Sequence, residues 1–378
     1  MIVLHFSFIN YHLRLFGIWY DLHLAPLGAK MNLPVASGSR NHHDNRQSNK
    51  MKLLILNATE VEELLPMPEC ISVMGEAFTA LARGEAHNPL RTIFRPPEIK
   101  GVMAMMPAFR ESPSPLFGLK AICVFPGNAM IGKDAHQGGV MLFDGTTGEP
   151  LAMVNASAIT AIRTAAVSGL ATRLLAREDA SDLAIIGAGV QARPHLSAMN
   201  CVRPLKRVRI ASRSFETAQR FADEMQPQFP TLIEPVQSAE AALRDADIIV
   251  TATTSREPVL RGEWISSGAH INGIGTYSPK ARELDTKTMV GASLFVDRRE
   301  SALNEAGDYL IPAGEGLIGP EHIRADLGEV LIGAHPGRTS ANEITVFKSL
   351  GLALEDLAAA AHVYQKARET NAGTWVEF

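Results

Sequence analysis

The spacing of apolar and polar residues divides the chain into three stretches. Residues 1–50 carry aromatic residues and histidines first, and then a polar run, SGSRNHHDNRQSNK. From Met51 to about Arg83, an apolar run predicts a strand, and apolar positions at helical spacing predict a helix that ends at Gly84. The β-forming residues that follow are separated by glycine, proline and asparagine, so they predict meandering, largely antiparallel strands with DGTTGEP as a hairpin turn.

A different pattern begins at Asp182, where apolar strands alternate with helices. A predicted helix over residues 158–177 and the break REDAS precede this change. Strands are predicted at DLAIIGAG, RVRIASR, ADIIVTATT, AHINGIG and SLFVD, with helices such as SFETAQRFADEMQ between them. This alternation is typical of a parallel sheet wound by crossover connections.

The tail, ITVFKSLGLALEDLAAAAHVYQKARE, predicts a long amphipathic helix that packs back onto the first stretch. We therefore expect an α/β protein in three parts. Residues 1–50 form an extension that is disordered or mis-assigned as a start. Residues 51–178 and 341–378 form a discontinuous α+β domain, and residues 179–340 form a doubly wound domain.

Composition excludes several classes of partner. The formal charge is −4 and the basic residues are scattered, so we expect no nucleic acid. The apolar start is interrupted by His5, Asn10, His12, Arg14 and Asp21 before about 18 apolar residues accumulate, so we expect neither a membrane span nor a signal peptide. The three cysteines lack metal-ligand spacing, which favours a reducing, cytoplasmic compartment and predicts no metal site.

The segment DLAIIGAGVQARPHLSAM places a G-x-G-x-x-A motif between an apolar strand and a helix. Gly187 permits a tight turn, Gly189 lets the backbone approach a pyrophosphate, and Ala192 allows close packing of the helix. The motif therefore predicts a nicotinamide-dinucleotide site and an oxidoreductase; the alternative is a glycine turn without a ligand. The predicted contacts of this loop are Gly187, Ala188, Gly189, Val190 and Gln191.

The tip of the second strand, RIASRSFET, bears on the choice between the two nicotinamide cofactors. An acidic residue there would bond the ribose 2′-hydroxyl and repel a 2′-phosphate. This chain has Ser212, Arg213 and Ser214 instead, a guanidinium and hydroxyls suited to a phosphate. We predict a preference for NADP(H), with NAD(H) as the other cofactor; alternatively, Arg213 is a solvated arginine whose stem covers the adenine.

From about Met51 to its end, the chain resembles the ornithine cyclodeaminase/mu-crystallin family. The segments that carry the resemblance are GLKAICVFPGN, HQGGVMLFDGTTGEPLA, ITAIRTAAVSGLA, IIGAGVQA, INGIGTYSPKARELD and ITVFKSLGLALEDLAAA. The resemblance implies a homodimer built from the discontinuous substrate-binding and dimerisation domain. It also implies an active site in the cleft between that domain and a Rossmann-type dinucleotide-binding domain.

The resemblance assigns roles to four charged or polar residues. It implies a substrate-gripping arginine at Arg91, an active-site lysine at Lys120, and at Arg163 an arginine near the nicotinamide and the substrate carboxylate. Fixed cations suit the carboxylate of an amino or imino acid. Without the resemblance, each of these three residues would be interpreted as a surface charge. The HQG turn implies a cofactor contact from His136, with a backbone-satisfied histidine as the alternative. Further cofactor contacts are expected at the ends of two later strands: Thr253, Ile274 and Gly275.

The segment INGIGTYSPKARELD departs from the family's cyclodeaminases, which resemble one another in an aspartate where this chain has Tyr277. That carboxylate is thought to manage protons during ring closure. Tyrosine, with a reference pKa near 10, cannot replace it as a base at neutral pH. The segment is more similar to the imine-reducing branch of the family. Glu305, Asp308 and Glu329 show no spacing that distinguishes them from surface carboxylates.

The resulting hypothesis is an NADP(H)-dependent reductase of a cyclic ketimino acid, Δ1-pyrroline-2-carboxylate or Δ1-piperideine-2-carboxylate, that forms proline or pipecolate. Arg91 and Lys120 would hold the carboxylate, Arg163 would help to place it, and Lys120 or Tyr277 through water would supply the proton. The alternatives are an NAD-dependent ornithine cyclodeaminase, an alanine dehydrogenase-like enzyme, and a non-catalytic NADPH and small-ligand binding protein. Ring size, reaction direction and the translation of residues 1–50 stay open at this level.

Overall fold

Two eight-stranded sheets organise residues 51–378, the part of the chain that the computed structural model describes. The predictions for residues 1–50 lie outside the described residues. The first ten elements, in chain order, are β1 (Lys52–Leu56), α1 (Ala58–Leu64), α2 (Met67–Ala82), β2 (Ala86–His87), β3 (Thr92–Phe94), β4 (Val102–Arg110), β5 (Leu116–Val124), β6 (His136–Asp144), β7 (Pro150–Asn155) and α3 (Ala156–Leu175).

The remaining elements alternate strands and helices, as the sequence predicts from Asp182 onward. They are β8 (Asp182–Ile186), α4 (Ala192–Val202), β9 (Arg207–Ala211), α5 (Phe215–Met225), β10 (Ile233–Pro235), α6 (Ala239–Leu243), β11 (Ile248–Thr251), β12 (His270–Gly273), α7 (Thr286–Gly291), β13 (Ser293–Val296), α8 (Arg299–Glu305), α9 (Gly307–Gly314), β14 (Ile323–Asp326), α10 (Leu327–Leu331), β15 (Thr345–Lys348), α11 (Ala353–Thr370) and β16 (Thr374–Glu377).

The first sheet has the order β16-β1-β7-β6-β5-β4-β2, with β3 also paired to β4. The neighbouring strands β4 to β7 are antiparallel, as predicted, and the DGTTGEP turn joins β6 to β7. Side chains alternate between the two faces of a strand. In β5, Leu116, Gly118, Lys120 and Ile122 are buried on the inner face, beneath α11. The sheet therefore carries one buried cation among apolar neighbours.

Helix α3 lies between the first sheet and strands β12 and β15 of the second sheet, and it is almost entirely buried. Its small residues permit close approach to α2 and α4, since a Cβ on Gly169 would lie only 3.1 Å from Ile71 and 3.3 Å from Ala198. The side chain of Asn155 accepts a hydrogen bond from the backbone N–H of Ala158 and caps the helix. The helix thus brings Thr160 and Arg163, in its first two turns, beneath the inner face of the sheet.

The second sheet is parallel throughout, in the order β10-β9-β8-β11-β12-β15-β13-β14. Separate apolar clusters cover its two faces, as both faces of a parallel sheet require. The strand order reverses between β8 and β11, which is the place where doubly wound sheets bind a dinucleotide. The α/β fold class is confirmed.

Two details of the sequence prediction are wrong. The tail is not one helix, because Thr345–Lys348 forms β15, which pairs with both β12 and β13. The boundary at residue 340 consequently falls too early, since β15 belongs to the parallel sheet. The helical part, α11, packs onto β4, β5 and β6 as expected. No helix among residues 51–378 is both long enough and apolar enough to cross a membrane.

Candidate active site

The loop after β8 has the geometry of a phosphate-binding turn. Gly187 adopts φ +105°, and its N–H donates to the carbonyl of Ala211 at 2.8 Å. A Cβ at this position would lie 2.5 Å from the carbonyl oxygen of Ala252, so only glycine fits. The turn therefore presses directly against the end of β11.

The next residues leave an open approach to the N-terminus of α4. A Cβ on Gly189 would meet nothing within 4 Å, and Val190 is 69% exposed. Gln191 precedes the helix, and its buried Oε1 has no hydrogen-bond partner among the described residues. Beneath it, buried His195 lies 2.6 Å from the carbonyl oxygen of Gln191 through Nδ1. An open glycine and the N-terminus of a helix fit the pyrophosphate of a dinucleotide.

The tip of β9 lies beside this loop, because β9 is the neighbour of β8 in the sheet. Ser212 is half-buried, whereas Arg213 and Ser214 are exposed. Arg213 makes no ion pair with any residue from 51 to 378, and the hydroxyl of Ser214 lies 3.0 Å from that of Thr217. An unpaired guanidinium thus stands where the adenine ribose of a bound dinucleotide would lie.

Thr253 and Gly275 meet at the carboxyl ends of the adjacent strands β11 and β12. A Cβ on Gly275 would lie 2.1 Å from the carbonyl oxygen of Thr253, so these two loops touch through their backbones. Ile274 is buried between them, and its N–H donates to the carbonyl of Thr251 at 2.9 Å. The structure therefore brings these three predicted cofactor residues together at one edge of the sheet.

Lys120 and Arg163 converge on one carboxylate beneath the first sheet. The ammonium of Lys120 donates to Asp356 Oδ1 at 3.0 Å and to the hydroxyl of Thr160 at 2.6 Å. The Nε of Arg163 donates to the same Asp356 oxygen at 3.0 Å, and its Nη1 pairs with Glu355. All four charged side chains are at least 95% buried. This group, Lys120, Arg163, Glu355 and Asp356, is called the charge cluster below.

Burial changes the proton affinity of the charge cluster. It lowers the pKa of Lys120 to about 8, although Asp356 acts in the opposite direction. It also raises the pKa of Glu355 to about 7, against the attraction of Arg163. Burial would lower the pKa of Arg163 too, but Asp356 and Glu355 more than offset it, so this guanidinium stays charged. Lys120 is therefore the cation of the cluster that can exchange a proton near neutral pH.

Arg91 approaches the charge cluster from the other side of Gly351. Its Nη2 donates to the carbonyls of Leu350 and Gly351, both at 2.8 Å, and its Nε lies 3.0 Å from Glu305 of α8. Gly351 adopts φ +78°, and a Cβ there would lie 2.5 Å from Arg163. The conformation and the space at this position both require glycine, which brings the two arginines to opposite sides of one residue.

His136 and Tyr277 occupy less constrained positions. His136 begins β6 opposite Val124, and its carbonyl accepts a hydrogen bond from Ser157. Burial, followed by the charges of Lys120 and Arg163, lowers the pKa of His136, so the neutral ring is favoured. Tyr277 is 44% exposed on the loop after β12, and its hydroxyl has no hydrogen-bond partner within residues 51–378.

Sequence reasoning missed the carboxylates of the site. Glu355 and Asp356 stand in LALEDLAAA, where two adjacent acids interrupt an otherwise apolar helical run. That signal could have identified them, because buried carboxylates need cationic partners. Glu305 had no such signal, since only the fold brings it to Arg91. Among residues 51–378, no group of three histidine, cysteine or carboxylate side chains is arranged to hold a metal ion.

Comparison with known proteins gives consistent relatives over the described part of the chain. A Δ1-pyrroline-2-carboxylate reductase of Bacillus cereus is 38% identical over 327 residues, which span 86% of this chain and all of the relative. The solved structure of the Thermococcus litoralis Δ1-pyrroline-2-carboxylate reductase with NADH and L-proline has 41% identity and a TM-score of 0.83, covering 85% of this chain and 99% of that one.

A third relative has a different named activity. An archaeal alanine dehydrogenase, solved as a dimer with bound NAD, has 36% identity and a TM-score of 0.82, covering 87% of this chain and all of that one. The profile of the Ornithine cyclodeaminase/mu-crystallin family matches residues 51–371. With a doubly wound sheet, a glycine turn at its switch point and a family match over most of its length, this chain belongs to the ornithine cyclodeaminase/mu-crystallin family.

Proposed function

We propose that this protein reduces a cyclic ketimino acid, Δ1-pyrroline-2-carboxylate or Δ1-piperideine-2-carboxylate, to proline or pipecolate with a nicotinamide cofactor. The observation that carries the proposal is the buried charge cluster beside Arg91, because it combines cations for a carboxylate with a lysine whose pKa is about 8. The names of the Bacillus and Thermococcus relatives support the same reaction.

In this mechanism, Arg91 and Lys120 hold the substrate carboxylate, and Arg163 fixes Asp356, the carboxylate partner of Lys120. Lys120 has three N–H bonds, of which Thr160 and Asp356 engage two, so one remains for a ligand. When bound, the reduced nicotinamide supplies the hydride for the C=N carbon. Lys120 supplies the proton that the nitrogen requires, directly or through water, and recovers it from solvent.

The cofactor-side residues fit the same reaction. The turn at Gly187 and Gly189 would hold the pyrophosphate, while Thr253 and Gly275 would border the nicotinamide half. We propose NADP(H) as the preferred cofactor, since Arg213 is exposed at the tip of β9 and has no ion-pair partner among residues 51–378. The cysteines of the described region are unpaired, which supports the proposed cytoplasmic location.

We also propose a homodimer formed through the outer face of the first sheet. On this face, alternate positions of β4 to β7 present partly or fully exposed apolar side chains: Met103, Met105, Pro107, Phe109, Phe117, Leu119, Met141, Phe143 and Met153. A contiguous apolar sheet face of this kind is a characteristic interface for a second copy of the chain.

The decisive experiment pairs two assays on the purified protein. NADPH oxidation is followed by absorbance with Δ1-pyrroline-2-carboxylate, and ammonia release is measured with ornithine and NAD⁺. We expect rapid NADPH loss and no ammonia. Ammonia release without net cofactor change would identify a cyclodeaminase, and NADH formation from alanine would identify an alanine dehydrogenase. Tight NADPH binding without turnover of any imino acid would identify a binding protein. Each of these results would overturn the proposal.

A further inference from the structure

A second group of buried charges lies outside the charge cluster, beneath the loops that follow β11 and β12. Glu283 is fully buried, and its carboxylate accepts hydrogen bonds from three groups. The backbone N–H of Thr253 donates to Oε1 at 2.6 Å, while the N–H of Gly275 and the hydroxyl of Thr251 donate to Oε2 at 2.6 and 2.9 Å. One carboxylate thus ties the two loops to each other.

Asp308 and Lys348 hold this arrangement from below. Asp308 Oδ1 accepts from the backbone N–H of Glu283 at 2.8 Å, and Oδ2 accepts from the Thr276 hydroxyl at 2.9 Å. Lys348 pairs with Asp308 at 2.9 Å and donates to the carbonyl of Thr276 at 2.8 Å. Side chains on both sides therefore fix the backbone of Gly275 and Thr276, and Glu283, Asp308 and Lys348 are all fully buried.

The location of these loops defines what they can contact. The glycine turn after β8 receives the pyrophosphate, and the tip of β9 lies on the adenosine side. The strands β11 and β12 lie on the opposite side of the switch point, so the nicotinamide half faces the loops at Thr253 and Gly275. Three buried charges add little to stability compared with apolar residues of the same volume, so stability does not explain why Glu283, Asp308 and Lys348 are present. Precise placement of the two loops explains their presence better.

We propose that Glu283 is the positioning residue for the nicotinamide half of the cofactor, and that it acts through the backbones of Thr253 and Gly275. Asp308 and Lys348 fix its place in turn. The proposal rests on the dinucleotide site and requires neither the imino-acid substrate nor the NADP(H) preference. It predicts that substitution of Glu283 weakens the binding of ligands that carry a nicotinamide and leaves the binding of other ligands unchanged.

The test compares whole and truncated cofactors on Glu283→Gln by calorimetry. The side-chain amide of the variant has one oxygen, so it cannot accept from the backbone N–H groups of both Thr253 and Gly275. One charge-assisted hydrogen bond is therefore lost, and one loop is released. We expect the Kd of NADPH to rise about tenfold or more, the effect of losing one such bond, and the Kd of 2′-phospho-ADP-ribose to stay within about twofold. NADH and ADP-ribose form a second pair with the same expectation. The matched control is Glu257→Gln, an exposed carboxylate on the neighbouring loop.

Equal weakening of the whole cofactor and its fragment would overturn the proposal, because it would indicate general loss of structure. Unchanged binding of both would overturn it too. If Glu283→Gln fails to fold, Thr251→Val removes one hydroxyl donor to the same carboxylate at nearly constant volume. This variant should raise the Kd of NADPH by a smaller factor and leave the Kd of 2′-phospho-ADP-ribose unchanged. An equal rise in both Kd values, or no rise in either, would again reject the proposal. Failure of wild-type protein to bind either dinucleotide would instead reject the cofactor site itself.

Discussion

Lys120 shows how one buried side chain can acquire chemistry from its surroundings. Burial lowers the pKa of its ammonium to about 8, and contact with Asp356 is the main influence in the other direction. If Lys120 donates the proton, only its charged form is active, so kcat/KM should fall as the pH rises through about 8.

Asp356→Asn tests this relationship. Removing the carboxylate removes the interaction that favours the charged lysine, so the alkaline limb of the pH–rate profile should move to lower pH, with a lower rate at every pH. The measurement is kcat/KM for the imino acid between pH 6 and about 10, with NADPH binding followed separately. An unchanged limb would exclude Lys120 as the titrating group, and Asp223→Asn on the exposed face of α5 serves as the control.

Arg213 provides a second prediction at the residue scale. Arg213→Ala should raise the KM of NADPH about tenfold or more, since a phosphate loses a charge-assisted bond, and change that of NADH by less than about twofold. Steady-state kinetics with both cofactors measure the ratio. Arg244→Ala is the control, because this exposed arginine lies between α6 and β11, at the opposite edge of the parallel sheet from the tip of β9. Equal effects on the two cofactors would show that Arg213 only covers the adenine.

At the scale of single residues, the sequence indicated the cations of the proposed site but not their partners. Family motifs led to Arg91, Lys120 and Arg163, but the carboxylates that neutralise them come from elements far away in the chain. Lys120 on β5 meets Asp356 on α11, and Arg91 meets Glu305 on α8. Spacing within a segment carries no information about such contacts, because they depend on how the sheets and helices pack.

At the scale of elements, glycine positions in the helices lead to opposite predictions. In α2, a Cβ on Gly75 would make an ordinary 3.9 Å contact with Leu170, so Gly75→Ala should stabilise the protein by about 0.5–1 kcal/mol through helix propensity. In α3, Gly169 has neighbours at 3.1 and 3.3 Å, so Gly169→Val should destabilise it by about 1–3 kcal/mol. Urea unfolding monitored by circular dichroism measures both, and the same sign for the two variants would contradict the packing argument.

The C-terminal segment that begins at ITVFKSL shows why the type of an element, strand or helix, is harder to predict than the presence of an element. A short apolar run such as ITVFKSL satisfies either a buried strand or a buried helix, and its periodicity does not separate them. The positive φ of Gly351 ends the extended segment before α11 begins, and nothing in the residue pattern requires that break. By contrast, the five strands predicted between Asp182 and Asp297 all form, since each is a distinct apolar run bounded by polar residues.

At the scale of the whole molecule, the outer face of the first sheet predicts the oligomeric state. Phe117 is 49% exposed on this face, opposite Phe109 and Phe143 in the neighbouring strands. Phe117→Asp should convert a dimer into a monomer, because a carboxylate cannot be buried unpaired in an apolar interface. Light scattering after gel filtration measures the mass, and Leu232→Asp, at a site 69% exposed and remote from this face, should stay dimeric. A monomeric wild type would contradict the proposed interface.

The route of the chain through the first sheet also affects its synthesis. The strand β1 lies between β7 and β16, and the inner face of the sheet is covered by α11, so elements from opposite ends of the described region complete one core. While the residues of the intervening parallel sheet are being synthesised, the first strands have an uncovered apolar face. During that time Lys120 and Arg163 lack their carboxylate partners on α11. Both halves therefore stay incomplete until the end of the chain is made, because β15 (Thr345–Lys348) is an inner strand of the parallel sheet and α11 (Ala353–Thr370) covers the first sheet.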